Sequence, residues 1–194
     1  MISHVDKRVG NIIQTLKDNG LYENTIIIFA GDNGLAVGQH GLMGKQNVYE
    51  HSVGVPLMIK AAAQHTGKKT ADLCYLIDVF PTLCDMLQLP VPQSVDGISL
   101  LSSLDGKEPV RDYLYYSYMD NQRGISDGTW KLIEYHVNGK RTTQLFNLKN
   151  DPWERNDLSE QKKYEKTIQR LREKMAEEQK RTNDTSVFWN NFSY

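Results

Sequence analysis

Residues 31–45 contain side chains of the types that could act together on an anionic ester. Asp32 and Asn33 offer two neighbouring hard oxygen ligands, which suit Ca²⁺ or Mg²⁺ better than zinc or copper. Lys45 offers a compact cation with three donors for a tetrahedral oxyanion, and His40 offers a titratable donor. The glycines between them allow the backbone to approach a ligand closely. This pattern predicts an anionic ester bound against a metal, with Lys45 and His40 on its oxygens.

Each of these residues also has an ordinary structural explanation when it is taken alone. An Asp-Asn-Gly sequence is a common turn, a loop lysine is usually solvated, and a single histidine is more often structural. Because Ca²⁺ takes six to eight oxygen ligands, Asp32 and Asn33 supply only part of a site. The prediction therefore depends on the order and spacing of the four side chains after a buried strand.

The elements before this segment predict how it is held. The first segment predicts a helix that is capped by Ser3 and ends at Asn19. A continuous apolar run at residues 26–30, rich in β-branched side chains, predicts a strand buried on both faces, as in a parallel sheet. Asp32 follows the C-terminal end of that strand, where ligand sites of α/β sheets lie. Residues 31–54 have no strand or helix period and predict a long functional loop. The apolar stripe of the helix consists of Val5, Val9, Ile12 and Leu16.

The middle of the chain predicts one more strand and one more helix. Residues 55–59 form a second short apolar run, which predicts a strand with Pro56 at its first position, where a missing N–H is tolerated. Asp78 is placed to cap a helix that has Pro81 in its first turn. Alternation of helix and strand predicts an α/β layer architecture over residues 1–105.

The pattern changes after about residue 106, which predicts a second domain over residues 106–194. This domain is expected to be a small antiparallel sheet packed with one long amphipathic helix. The aromatic tail is expected to dock on the rest through Phe188, Trp189 and Phe192. The predicted elements are strands at 111–118, 124–135 and 142–148, a hairpin turn at 137–140, and a helix at 162–181 whose stripe is Tyr164, Ile168, Leu171 and Met175.

Composition excludes several functional classes. The 194 residues carry 23 basic and 24 acidic side chains, so a net charge of -1 gives no electrostatic reason to expect nucleic acid or an anionic membrane as partner. The longest near-apolar run, residues 26–30, is far shorter than the ~20 residues of a membrane span. No secretion signal follows Met1. Cys74 and Cys84 are expected to be buried apolar residues, so the compartment stays open.

The segment that contains Asp32, Asn33, His40 and Lys45 resembles part of the second half of a type I sulfatase. Type I sulfatases are formylglycine-dependent sulfuric ester hydrolases of the alkaline phosphatase superfamily. Residues 27–34 (IIFAGDNG) and 38–45 (GQHGLMGK) carry the resemblance. Other similar segments follow in chain order and extend it over nearly the whole chain. They are residues 4–10 (HVDKRVG), 50–57 (EHSVGVPL), 78–83 (DVFPTL), 96–100 (DGISL), 130–133 (WKLI), 145–148 (LFNL) and 151–152 (DP).

The resemblance implies a role for each of the four residues. Asp32 and Asn33 match the family's second pair of calcium ligands. Lys45 matches the lysine that binds the sulfate and the leaving-group oxygen, and His40 lies in an element beside the substrate. The implied cofactors are Ca²⁺ (or Mg²⁺) and a formylglycine in a missing N-terminal part. The implied fold is the C-terminal part of an alkaline-phosphatase-like α/β sandwich, followed by the small antiparallel sheet with its long helix.

Two features of the family are absent from the sequence. Neither Cys74 nor Cys84 lies in the C-x-P-x-R motif that yields formylglycine, and the first pair of metal-binding aspartates is missing. We therefore expect the chain alone to be inactive. Its expected partners are a sulfated small molecule or glycan and the missing N-terminal half of the same protein. Open sheet edges predict self-association. The family implies export to a periplasmic, extracellular or lysosomal location.

Two other functions stay open at this point. The first is hydrolysis of phosphate or phosphonate esters by an enzyme of the same superfamily. The adjacent Asp32 and Asn33 favour a sulfatase, because many phospho-enzymes place His there. The second is a non-catalytic module that binds a sulfated glycan without turnover.

Overall fold

The computed structural model describes residues 1–61 and 67–186. The chain divides into two compact units, and the boundaries of these units differ from the predicted domain boundary at residue 105, which stays a prediction. The predicted docking of the aromatic tail lies outside the described residues. The first unit comprises Met1–Ala30 and Pro56–Lys69, and the second comprises Gly31–Val55 and Thr70–Tyr194.

The first unit contains one helix and a two-stranded sheet. Helix α1 spans Ile2–Asp18, and its C-cap residue is Asn19, as predicted. The expected cap at Ser3 is wrong, because the helix already begins at Ile2 and has no side-chain cap. In the apolar stripe of α1, Val5 and Ile12 are exposed, and Val9 and Leu16 are half-buried. A 3₁₀ turn at Tyr22–Asn24 follows the helix.

Strand β1, Ile27–Ala30, pairs with strand β2, Leu57–Lys60, in an antiparallel sheet. The expectation of a fully buried strand of a parallel sheet is therefore wrong for this unit. Ile27, Ile28 and Phe29 are only half-buried, and Ala30 is exposed. A two-stranded sheet leaves much of each strand uncovered, which accounts for this exposure.

The second unit contains a four-stranded antiparallel sheet in the order β3-β4-β5-β6. Helix α5, Glu165–Arg181, packs its predicted apolar stripe against this sheet. The expected fold class, with a small antiparallel sheet packed against one long helix, is confirmed. The strands are β3 Leu114–Tyr118, β4 Gln122–Ser126, β5 Trp130–Val137 and β6 Lys140–Asn147, and the core joins Tyr115, Ile125, Leu132 and Leu145 to Ile168, Leu171 and Met175.

Two turns of this sheet have different sequence signals. The strand predicted at 124–135 is interrupted, because the carboxylate of Asp127 accepts hydrogen bonds from the backbone N–H groups of Thr129 (2.9 Å) and Trp130 (2.7 Å). The predicted hairpin turn between β5 and β6 is confirmed. Its central residues, Asn138 and Gly139, have φ values of 52° and 74°, as such a tight turn requires.

Asp78 connects several segments that are distant in the sequence. A 3₁₀ turn, Leu76–Asp78, leads into helix α3, Val79–Met86. The fully buried carboxylate of Asp78 accepts hydrogen bonds from the N–H of Tyr75 (2.7 Å) and of Ile98 (2.9 Å). It also pairs with the guanidinium of Arg111 at 2.7 Å. The predicted cap therefore closes the 3₁₀ turn before α3 rather than α3 itself, and it fixes the DGISL segment.

Thr82 continues this connection from within α3. Its hydroxyl oxygen accepts a hydrogen bond from the N–H of Leu100 at 2.9 Å, just before the short helix α4, Leu101–Leu104. The DVFPTL and DGISL segments are thus joined by side-chain to backbone bonds. Among the described residues, no helix is long and apolar enough to cross a membrane.

We expect Asp78→Ala to lower the free energy of unfolding by about 3–5 kcal/mol, because it leaves the largely buried Arg111 without its partner. Urea denaturation measures this change. Lys107→Ala is the control, since Lys107 forms an exposed pair with Asp105 and should cost less than about 1 kcal/mol. Equal losses in the two variants would contradict the structural role given to Asp78.

Candidate functional site

The loop that carries the predicted site residues is folded back on itself by backbone hydrogen bonds. The N–H of Gly34 donates to the carbonyl of Ser52 (2.9 Å), and the N–H of Ala36 donates to that of Gly44 (3.0 Å). A third bond from Gly38 to Leu42 closes the tip at 2.8 Å. Residues 31–53 therefore have a defined course although little of the loop is regular structure.

Gly34 is required at its position by a close approach between two backbones. A Cβ atom there would lie 1.9 Å from the carbonyl oxygen of His51. His51 belongs to the short helix α2, Glu50–Val53, which ends the loop. Glycine at position 34 therefore allows the backbone directly after Asp32 and Asn33 to pack against α2.

Asp32 and Asn33 are both exposed to solvent. The N–H of Asn33 donates to the Oδ1 atom of Asp32 at 2.8 Å, which orients that carboxylate. Within residues 1–61 and 67–186, no group of three or more His, Cys, Asp or Glu side chains is arranged to hold a metal. The two residues therefore present adjacent oxygen atoms, but this is at most a partial ligand set.

His40 is held in a fixed orientation at the tip of the loop. Its ring stacks on the ring of Tyr49, with centroids 4.0 Å apart and planes 5° from parallel. The hydroxyl of the buried Tyr49 donates to Gln144 of β6 at 2.7 Å. The Nε2 atom of His40 lies 3.2 Å from the carbonyl oxygen of Trp153. Since a carbonyl only accepts, Nε2 carries a proton, and Nδ1 is the nitrogen left for a ligand.

The backbone at the tip of the loop is conformationally unusual. His40 has a φ of 53°, and Val37 has a φ of 47°. Positive φ is rare for residues other than glycine and is a genuine outlier for a β-branched side chain. Such strain is found where the surrounding structure imposes it, often at functional sites.

Lys45 directly follows Gly44 in the loop, and its side chain is exposed. Its N–H donates to the side chain of Gln46 at 3.1 Å, and its carbonyl accepts from Asn47 at 2.9 Å. In the described part of the chain, no carboxylate pairs with its ammonium group. Lys45 is therefore a cation that is available to an anionic ligand.

A buried ion network anchors the end of this loop to the sheet. The ammonium of Lys131, on β5, is fully buried and lies 2.8 Å from Glu50 and 3.0 Å from Glu154. Glu154 also accepts a hydrogen bond from the N–H of Glu50 at 2.6 Å. Burial raises the pKa of Glu154, although the charge of Lys131 opposes this shift. This network fixes α2, and with it the loop.

His51 lies in the same helix and has no hydrogen-bond partner for either ring nitrogen among the described residues. Burial lowers the pKa of His51, and the nearby His40 and Lys131 lower it further. Its ring lies 5.6 Å from the rings of His40 and of Tyr49. The neutral ring thus packs beside the stacked pair rather than forming a charged contact.

The sequence did not reveal the residues that support the loop from the sheet. Lys131 and Glu154 were not singled out, because a lysine and a glutamate are ordinarily exposed. The available signal was positional, since Lys131 lies in the WKLI segment and Glu154 follows the DP turn. All four predicted site residues lie on the one loop of the second unit.

Comparison with known proteins gives a family for this chain. The family model for "N-sulphoglucosamine sulphohydrolase, C-terminal" matches residues 38–181, well over half of the chain. The chain belongs to this sulfatase family. The resemblance to the C-terminal portion of a sulfatase is thereby confirmed.

Individual relatives agree with this assignment. This sulfatase-family chain is 30% identical over 193 residues to the N-acetylglucosamine-6-O-sulfatase of Bacteroides thetaiotaomicron, covering 93% of this chain and 34% of the relative. It also resembles a protein solved in complex with its substrate D-glucosamine-2-N,6-O-disulfate, with a TM-score of 0.80 and 28% identity, over 95% of this chain and 40% of that one.

A phosphonate monoester hydrolase from Agrobacterium radiobacter is similar to almost the same degree. Its TM-score is 0.79 at 27% identity, over 91% of this sulfatase-family chain and 39% of the hydrolase. This supports the expected alkaline phosphatase superfamily. The chain spans about a third of the length of the curated relatives it matches.

We expect the stability of the protein to fall as the pH is lowered from 7.5 to 5.5, in part through His51. The pKa of His51 is lowered by folding, so below about 6.5 the unfolded chain binds the proton more readily. The contribution of His51 to the free energy of unfolding is present in full above the pKa of the unfolded state, and it is lost as the pH falls toward the pKa of the folded state. In urea denaturation, His51→Phe should reduce the pH dependence. His4→Asn, on the exposed start of α1, should leave the pH dependence unchanged. If His51→Phe also left it unchanged, His51 would not be a source of the pH dependence.

Proposed function

We propose that this chain supplies the sulfate-binding half of the active site of a sulfuric ester hydrolase. The observation that carries the proposal is the loop itself, which presents an unpaired ammonium, an oxygen pair and an oriented imidazole. Membership of the sulfatase family supports the reaction type. Its substrate is a sulfated small molecule or glycan.

Asp32 and Asn33 fit one part of a calcium or magnesium site. Their hard oxygen atoms are the donors that these ions prefer, and the carboxylate is already oriented by the N–H of Asn33. The remaining ligands are proposed to come from the N-terminal part of the full-length protein. When bound, the metal would polarise the sulfate oxygens.

Lys45 binds the oxygens of the ester and stabilises the charge that develops on them, since its ammonium has no competing carboxylate in the described residues. His40 contributes from its Nδ1 atom, because Nε2 is engaged by the carbonyl of Trp153. In its protonated form, Nδ1 donates to an oxygen of the substrate. The stack on Tyr49 keeps this atom in place without any rearrangement.

The nucleophile is the part of the chemistry that this chain does not supply. Neither Cys74, half-buried, nor Cys84, buried, lies in a C-x-P-x-R sequence. Burial raises the pKa of Cys74, which disfavours the reactive thiolate. We therefore propose that the chain is inactive by itself and completes its site with the N-terminal half, in an exported protein.

The exposed apolar side chains of the first unit are consistent with such an arrangement. Ile12 on α1 is 63% exposed and Met58 on β2 is 58% exposed. Surfaces of this kind favour association. The isolated chain is accordingly proposed to self-associate when its N-terminal half is absent.

A phosphate or phosphonate ester hydrolase is the second candidate. The similarity to a phosphonate monoester hydrolase favours it, because its TM-score is close to that of the glucosamine disulfate complex. The Asp32–Asn33 pair is our reason for placing sulfate first. A non-catalytic glycan-binding module is the third, and it predicts binding without turnover.

In the full-length enzyme, we expect Lys45→Ala to lower kcat for p-nitrophenyl sulfate by roughly 10²–10³, because it removes a charged donor used in the transition state. Turnover of paired sulfate and phosphate esters measures the loss and separates the first two candidates. Lys149→Ala, an exposed lysine outside the loop, is the control. Undiminished turnover by Lys45→Ala would reject the proposal, as would turnover by the 194-residue chain alone.

We also expect Asp32→Asn to weaken Ca²⁺ binding by the full-length enzyme on the order of 10-fold or more, because the site loses a charged ligand. Thermal unfolding at increasing Ca²⁺ concentration reports this without any assay of activity, since a bound ion raises the midpoint. Asp112→Asn changes an exposed carboxylate outside the loop and should leave the Ca²⁺ response intact. An identical response in both variants would remove Asp32 from the metal site.

A further inference from the structure

We propose that Trp153 and Arg155, together with Gln39 and His40, form a subsite for a saccharide unit that carries an anionic group. This inference rests on the proposed function, because it assigns a second binding position for the same substrate. The subsite would hold a sugar other than the one whose sulfate is bound by Lys45.

The first observation is a cavity of about 560 Å³ that these four residues line. This volume is within the range of small-molecule sites. His40 comes from the tip of the loop at residues 31–53, whereas Trp153 and Arg155 come from the turn after β6. The cavity is therefore built where the loop and this turn meet, inside the second unit.

The second observation is that Trp153 is 61% exposed although its backbone carbonyl is held by a hydrogen bond. Its carbonyl accepts the bond from His40, and the next residue, Glu154, is buried against Lys131. The turn thus presents a large apolar face to solvent from a rigid base. Such a face binds at low conformational cost, because little remains to be ordered.

The chemistry of the lining then limits the class of ligand. The indole offers a flat apolar face and one N–H donor, which suits the C–H face and the hydroxyls of a pyranose ring. The side-chain amide of Gln39 both donates and accepts, as hydroxyl groups require. The ring of His40 completes the same wall, next to the sulfate-binding loop.

Arg155 adds the preference for charge. Its guanidinium is exposed and makes no ion pair within the described residues. A guanidinium presents paired N–H donors that match the oxygens of a sulfate or a carboxylate. Among residues 1–61 and 67–186, no carboxylate side chain lines the cavity. A sugar that bears sulfate or carboxylate therefore fits this lining better than a neutral one.

The test compares two substrates of the full-length enzyme. One is a sulfated disaccharide of N-acetylhexosamine and uronic acid, and the other is p-nitrophenyl sulfate, which has no second sugar. We expect Trp153→Ala and Arg155→Ala each to raise KM for the disaccharide by about 10-fold. Neither should change the kinetics of p-nitrophenyl sulfate, because this substrate has no second sugar to occupy the subsite.

Matched variants exclude a general effect. Trp153→Phe keeps an aromatic face and should restore most of the affinity. Met119→Ala and Lys149→Ala remove an exposed apolar side chain and an exposed cation outside the lining, and both should behave as wild type. An equal change for both substrates in Trp153→Ala would show a merely structural role and overturn the inference.

Calorimetric binding keeps this inference separate from the proposed function. If no sulfate ester is hydrolysed, the proposed function fails, but binding of the disaccharide and its loss in Trp153→Ala still test the subsite. We expect the unsulfated, carboxyl-reduced disaccharide to bind at least several-fold more weakly. Absence of disaccharide binding, or tighter binding of adenosine monophosphate through base stacking, would overturn the saccharide assignment.

Discussion

The buried ammonium of Lys131 is the interaction on which the geometry of the candidate site depends. It joins Glu50, at the end of the loop, to Glu154, in the turn after β6. A buried charge is costly unless it is paired and hydrogen-bonded, so these groups define one another's positions. The loop has little regular structure, and the sheet beneath it provides the rigidity that the loop lacks.

The same turn supports the loop at a second point. Trp153 accepts the bond from His40 through its backbone, while Glu154 binds the backbone of Glu50 through its side chain. Two consecutive residues thus fix the tip and the end of one loop. A ligand site that is supported in this way needs little rearrangement to bind, which favours electrostatic catalysis by pre-oriented groups.

The sequence was most informative where a pattern repeats along an element. The stripe of Ile168, Leu171 and Met175 predicted the buried face of α5, because helical spacing directly reflects which side is covered. It was least informative where a single side chain forms hydrogen bonds that belong to no repeating pattern. Asp127 interrupts a predicted strand by accepting hydrogen bonds from the backbone N–H groups two and three residues later. Such bonds produce no periodic pattern in the sequence.

The candidate site shows the same division. The order of Asp32, His40 and Lys45 was readable because all three lie on one short segment. Trp153 lies more than a hundred residues away along the chain, and its contact with His40 exists only because the sheet folds the two together. The burial predicted for β1 was wrong for a related reason, since apolar residues show what favours burial but not whether a neighbour covers them.

Glu154 combines two demands that oppose each other. Its φ of 53° is a conformation for which glycine or asparagine is better suited than glutamate. Its carboxylate, however, is needed by Lys131 and by the backbone of Glu50. Glycine or asparagine would relax the backbone but remove the charge, and aspartate would keep the charge on a side chain one carbon shorter. We therefore expect each single replacement of Glu154 to lose either a contact of its carboxylate or the reach of its side chain, so protein engineers should look for stability gains at other positions.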